Sequence, residues 1–151
     1  MNEPVPIKKE EYLITPVAPE EVASIWSQVK DLLEPAVIRS NGRWTMEHLL
    51  SVLVLGKQQL WVVHDNVDKV YAALTTQIVD YPNCSMIACQ FLGGTDFELW
   101  NTELMDTIKE FAKQAKCAGL EIVGRAGFWP FFKGEGLERS YTVFEYMRTD
   151  E

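Results

Sequence analysis

Residues 89–100 read CQFLGGTDFELW. An apolar run meets Gly93 and Gly94, then Thr95, and Glu98 follows three residues after that. Thr-x-x-Glu ahead of an apolar periodicity is the pattern of a capping box, in which each side chain satisfies a free N–H at the helix start. The stretch therefore predicts strand, glycine turn, helix. The same local arrangement grips phosphate, because the first N–H groups of a helix point at the anion. The surrounding charge argues the other way. No Lys, Arg or His occurs from Val70 to Ile108, whereas Asp80, Asp96, Glu98, Glu103 and Asp106 do. Two readings stand at this point: an anion-binding turn, or a tight turn that uses glycine's tolerance of positive φ.

Working outward, Phe97, Trp100, Leu104, Ile108, Phe111 and Ala115 recur every three or four residues and define a long helix closed by Gly119. Residues 120–123 form a short buried strand. Strand, helix and strand make a crossover, which joins parallel strands and is right-handed. Upstream, apolar runs at 60–63, 70–79 and 84–92 are separated by His64-Asp65-Asn66 and by Asp80-Tyr81-Pro82-Asn83, the pattern of an antiparallel meander. Tyr12, Leu13 and Ile14 suggest a first short strand stopped by Pro16. Pro19 opens a helix whose apolar face is Val22, Ile25, Trp26, Val29, Leu32 and Leu33, ended by Pro35. Thr45 caps a second helix carrying Met46, Leu49, Leu50 and Leu53 on one side, with Gly56 at its end. After residue 123, residues 128–132 read as a short helix broken by Gly134 and Gly136, and 141–147 alternate as a last strand. The expected fold is a single α/β domain over residues 10–151, of order β-α-α-β-β-β-α-β-α-β, behind a loose tail at 1–9. Its mixed sheet is antiparallel in the first half with one parallel crossover.

The chain has 151 residues, 47% hydrophobic, enough for one domain with a real core. Its net charge is 14 − 22 = −8, which argues against nucleic-acid or anionic-membrane partners, since those need clustered Lys and Arg. The N-terminus lacks the apolar core of a signal peptide, so a soluble intracellular protein is expected. Cys84, Cys89 and Cys117 are odd in number, without a CxxC pair, and read as free thiols. His48 and His64 are isolated and give no metal-ligand spacing.

The element order and two local motifs resemble the GNAT acyltransferase superfamily, over roughly residues 10–148. The superfamily binds the pyrophosphate of acyl-CoA on a Q/R-x-x-G-x-G/A loop between its fourth strand and the next helix. Gln90-Phe91-Leu92-Gly93-Gly94-Thr95 stands at that junction and matches all but the last position. Phe131-Phe132-Lys133-Gly134-Glu135-Gly136-Leu137 is similar to the segment before the superfamily's last strand. EIVGRAGFWPFF with GLERSY resembles small GNAT-like proteins of tailed phages most. The resemblance implies acetyl-CoA as cofactor, if the protein is active, held by Phe91, Leu92, Gly93, Gly94 and Thr95. Three departures stand against activity. Thr95 puts a β-branched side chain where members have a small one. Phe132 replaces a tyrosine that protonates the departing thiolate in many members, which phenylalanine cannot do. The strand at 84–92 carries no carboxylate to serve as general base, leaving Asp80 and Tyr141 as the candidate catalytic residues.

With the anion site weakened by its cap and its acids, the expectation is a non-catalytic phage-type structural, assembly or host-interacting protein. It would sit in the host cytoplasm or the virion and bind a phage or host protein through Phe128, Trp129 and Phe131. An acyl-CoA-dependent N-acetyltransferase is the alternative, and an unrelated small acidic binding domain the second.

Overall fold

A computed structural model describes residues 12–149. Five strands form one sheet in the order β1-β2-β3-β4-β5: Leu13–Val17, Gln59–His64, Val70–Asp80, Ser85–Gly94 and Gly119–Ile122. The first four pair antiparallel, and β4 and β5 pair parallel across α3, Phe97–Gln114. The meander and crossover expected from the sequence are both present. Helices α1 (Val22–Ile38) and α2 (Met46–Val54) cover one face of the sheet; α3 and the short α4 (Trp129–Lys133) cover the other.

Strand alternation sorts the core into these two layers. Leu60, Val62, Ala73 and Phe91 meet Val29, Leu33, Val37, Leu49 and Leu53 on the α1/α2 side. Trp61, Val63, Leu74, Ile87 and Cys89 meet Trp100, Leu104, Met105 and Ile108 on the α3 side. Thr45 caps α2 as expected, its hydroxyl oxygen accepting from the His48 N–H at 3.1 Å.

Four expectations are corrected. Pro16 lies inside β1 rather than ending it; β1 is an edge strand, where a missing N–H costs no ladder bond. Pro35 lies inside α1, which runs on to Ile38. The ring removes one helical bond, and burial of Val37 just beyond it holds the last turn in place. The Thr95–Glu98 capping box does not form. Asp96 is the N-cap residue, in the left-handed region at φ 58°, with no side-chain cap. Residues 141–147 form no strand. Alternation gives an extended segment, but a strand needs a partner edge, and this segment pairs with none among the described residues. Instead Glu145 reaches the α1–α2 connection, where it accepts from Asn41 Nδ2 and pairs with Arg43 at 2.8 Å. Tyr141, Val143, Phe144 and Tyr146 are left exposed. Residues 1–9, read as a tail, lie outside the described residues.

Candidate functional site

The crossover creates the site. β5 follows β4 only from Met86–Gly119 to Cys89–Ile122, after which β4 continues to Gly94 paired with β3 alone. At the point of parting, β4 carries an irregularity: Thr75 faces Phe91 while Thr76 faces Cys89, so Gln90 is the extra residue of a bulge. Two hydrogen bonds fix which N–H groups face β3. Phe91 N–H donates to Thr75 Oγ1 at 3.2 Å, and Thr95 N–H to the Tyr71 carbonyl at 3.1 Å. Alternation then turns the N–H groups of Leu92 and Gly94 toward the side that β5 has left.

The two glycines have packing reasons of their own. A Cβ on Gly93 would stand 1.7 Å from the Leu32 carbonyl oxygen, so the backbone of α1 rests directly on this residue. At Gly94, φ is +151°, and a Cβ would stand 2.4 Å from the Tyr71 carbonyl oxygen. The chain then enters α3 through Asp96. Leu99 N–H is taken by the Asp96 carbonyl at 2.9 Å, and among the described residues no side chain caps the N–H groups of Phe97 and Glu98. Trp100 lies beneath this turn, 1% exposed, with Nε1 donating to the Thr95 carbonyl at 2.9 Å.

Of the five residues expected to contact cofactor, Leu92 and Gly94 present N–H groups to the opening. Gly93 pairs with Ala73 of β3. Phe91 and Thr95 have their N–H groups engaged, and the Phe91 ring is buried edge-on to Trp44, centroids 5.8 Å apart. Gln90 turns toward the α1/α2 face, where its Nε2 donates to Gln77 Oε1 at 3.2 Å. On the α3 side, Phe97 bridges from the end of β4 to the segment after β5, with its ring 5.4 Å from Phe128, 4.8 Å from Phe131 and 6.2 Å from Phe132. Asn101 Nδ2 donates to the Phe131 carbonyl at 3.1 Å and ties α3 to α4. Trp129 is half-buried beneath the Arg139 guanidinium, 4.9 Å from its ring centroid.

Asp80 and Tyr141, the candidate catalytic residues, sit near the β3–β4 turn. Asp80 ends β3, exposed, and accepts from Ser85 Oγ. Tyr141 is 76% exposed. The sequence reading missed a carboxylate that meets Tyr81 of this turn, Glu121. Leu120 and Ile122 pack toward α3, so Glu121 projects from β5 to the α1/α2 face beside Ala88. Its two carboxylate oxygens accept from Tyr81 Oη at 2.8 and 3.0 Å. That hydrogen bond raises the Tyr81 pKa, with desolvation, the Glu121 charge, Tyr141 and Cys84 adding to it. Cys89, on the opposite face at the same point, has its thiol pushed up to about 12 by burial and then by the Glu121 charge. It is no nucleophile at neutral pH.

No family model matches the chain, and no curated protein sequence matches it. Solved structures do. An aminoglycoside acetyltransferase from an uncultured soil metagenomic sample, in complex with trehalose, superposes with a TM-score of 0.69 at 12% identity, covering 93% of this chain and 97% of that one. A predicted acetyltransferase with acetyl-CoA from Clostridium acetobutylicum gives 0.65 at 12% identity, covering 91% and 96%. A GCN5-related N-acetyltransferase from Ralstonia eutropha gives 0.62 at 12% identity, covering 91% and 99%. Mixed sheet, parallel crossover and parted strands together give this chain the fold of the GCN5-related N-acetyltransferases, the GNAT fold.

Proposed function

We propose that the protein is an acyl-CoA-dependent N-acyltransferase. The observation that carries this reading is the parting of β4 from β5 beyond Cys89 and Ile122, which turns the Leu92 and Gly94 N–H groups into an opening that ends at the α3 N-terminus. Those two groups suit the amides of an extended pantetheine arm, as a strand edge suits a peptide. The N–H groups of Phe97 and Glu98 suit the pyrophosphate. The cofactor would supply an activated acetyl thioester. The non-catalytic reading rested partly on a capping box that consumed these N–H groups, and without that box it loses this support.

Two acids remain against tight binding. Asp96 and Glu98 lie in or beside the first turn, and at about 7 Å each would cost roughly 0.5–2.5 kcal/mol against a phosphate charge. Calorimetry at low salt is expected to give one acetyl-CoA per chain with a dissociation constant of about 10–100 μM. The absence of saturable binding up to about 1 mM would overturn the proposal.

Asp96→Gly is expected to tighten that constant about tenfold, equivalent to removing about 1.4 kcal/mol of repulsion. Its effect on stability is expected to stay below about 1 kcal/mol. Relief of the left-handed backbone, worth about 1 kcal/mol, is offset by the greater freedom of glycine in the unfolded chain, about 0.4–1 kcal/mol. Equal or weaker binding by Asp96→Gly would place the phosphates elsewhere.

A further inference from the structure

We propose that Cys84 and Cys117 form a reversible disulfide, made on exposure to a low-molecular-weight disulfide, that staples the two ends of the crossover together. This goes beyond the N-acyltransferase reading and does not rest on it.

The register of the parallel pair places the two cysteines. The ladder between β4 and β5 begins at Met86 with Gly119. One residue earlier, the Ala118 N–H donates to the Ser85 carbonyl at 2.8 Å, so the two chains already run side by side there. One further step back sets Cys84 level with Cys117. Neighbouring strands lie about 4.8 Å apart, and a disulfide joins Cα atoms separated by about 4.4–6.8 Å.

Both cysteines sit where the backbone is pinned. Cys84 ends the β3–β4 turn, its carbonyl accepting from the Tyr81 N–H at 2.8 Å. Cys117 follows Lys116, which is left-handed at φ 59°, and its N–H donates to the Ala112 carbonyl at 2.8 Å as the chain leaves α3 for β5. Cys84 is exposed, so a reagent reaches it first. Cys117 is half-buried, and its Sγ lies 3.9 Å from the Ala115 carbonyl oxygen, a weak bond that a turn about the side chain gives up easily. Cys89 stays out of the exchange. It is buried in β4 with its thiol pushed up to about 12, and only a thiolate attacks a disulfide.

The exchange balances with oxidised glutathione as the oxidant. The Cys84 thiolate attacks one of its sulfurs, one glutathione thiolate leaves, and a mixed disulfide stands on Cys84. The Cys117 thiolate then attacks the Cys84 sulfur, and the second glutathione thiolate leaves. The two protein thiols give up two protons and two electrons, and the two glutathione sulfurs take them. The bridge encloses β4 and α3, at the end of β4 away from the opening. It restricts the unfolded chain, which is the main source of a disulfide's stabilising effect.

The test uses the whole protein, first reduced and then held with oxidised glutathione. Mass mapping is expected to find one peptide pair joined through Cys84 and Cys117, with Cys89 still a free thiol. The melting temperature should rise by roughly 7–15 °C for a closed loop of this length, and dithiothreitol should return it to the starting value. Cys84→Ser and Cys117→Ser should each abolish the rise, and Cys117→Ser should stop the exchange at glutathione bound to Cys84. In the unmodified protein, glutathione left on Cys84, a bridge between two copies through Cys84, or a joined pair with no gain in melting temperature overturns the staple.

Discussion

Gly93→Ala is expected to cost about 3 kcal/mol or more, beyond the usual range for added core volume. The added methyl would stand 1.7 Å from the Leu32 carbonyl oxygen and 2.7 Å from its carbon. Both are backbone atoms, so no rotamer change relieves the clash. The whole of α1 would have to lift from β4, and Val29, Leu33 and Val37 would lose contact with the sheet at Ala73 and Phe91. A typical domain has about 5–15 kcal/mol in total. At about 2–4 °C per kcal/mol for a chain of this size, the melting temperature should fall by roughly 6–12 °C. Gly127→Ala is the control, because nothing lies within 4 Å of its added Cβ; it should stay within about 0.5 kcal/mol. Thermal denaturation followed by circular dichroism measures both. A Gly93→Ala protein melting within about 2 °C of the parent would show that α1 yields easily at this contact.

Trp100→Ala is expected to be comparably severe, at about 3–5 kcal/mol. Trp100 is 1% exposed and sits among Leu104, Met105 and Phe97 on the α3 side, its ring 4.9 Å from that of Phe97. It also holds the turn into α3 through its bond to the Thr95 carbonyl. Trp100→Phe separates the two contributions: it keeps most of the apolar volume and loses the bond, for about 1–3 kcal/mol. Urea denaturation should order the three proteins accordingly. The same series should order acetyl-CoA affinity, because the turn that Trp100 supports carries the N–H groups proposed to meet the pyrophosphate. If Trp100→Phe costs as much as Trp100→Ala, the bond rather than the packing dominates.

The parts of the fold that could be read from sequence are those governed by neighbours in the chain. Alternation and short polar turns mark β2, β3 and β4, and the three-to-four spacing from Phe97 to Ala115 marks α3. The misreadings come from contacts made across the chain. Pro35 breaks a local rule, and burial of Val37 under α2 and the sheet compensates it. Residues 141–147 satisfy the strand pattern, yet only a partner edge turns alternation into a strand, and periodicity says nothing of partners. Thr95 and Glu98 have the right spacing for a cap. The strand above them needs the Thr95 N–H to close on Tyr71, which moves the helix start to Asp96.

The site divides in the same way. Its glycine turn was visible, but the demand of α1 on Gly93 was not, since Leu32 lies some sixty residues away in the chain. Glu121 stands inside Gly-Leu-Glu-Ile, which reads as a buried strand with a charge to be tolerated. Only the parallel register with β4 places it beside the parting strands, and only the fold brings Tyr81 to it. The signal available in sequence was weak: a carboxylate in the middle of an otherwise apolar strand.

The order of strands in the sheet repeats their order along the chain. Each strand after the first can therefore be laid on an edge that already exists, so the sheet can grow in one direction as the polypeptide leaves the ribosome, where N-terminal parts fold first. Four strands and both helices of the α1/α2 layer can assemble before β5 is made. Until then the outer edge of β4, with its Leu92 and Gly94 N–H groups, is a bare template of the kind that recruits foreign strands. The nascent chain is most exposed to mispairing during the interval in which α3 is synthesised. The cleft takes shape last, when β5 covers half of that edge and leaves the other half open.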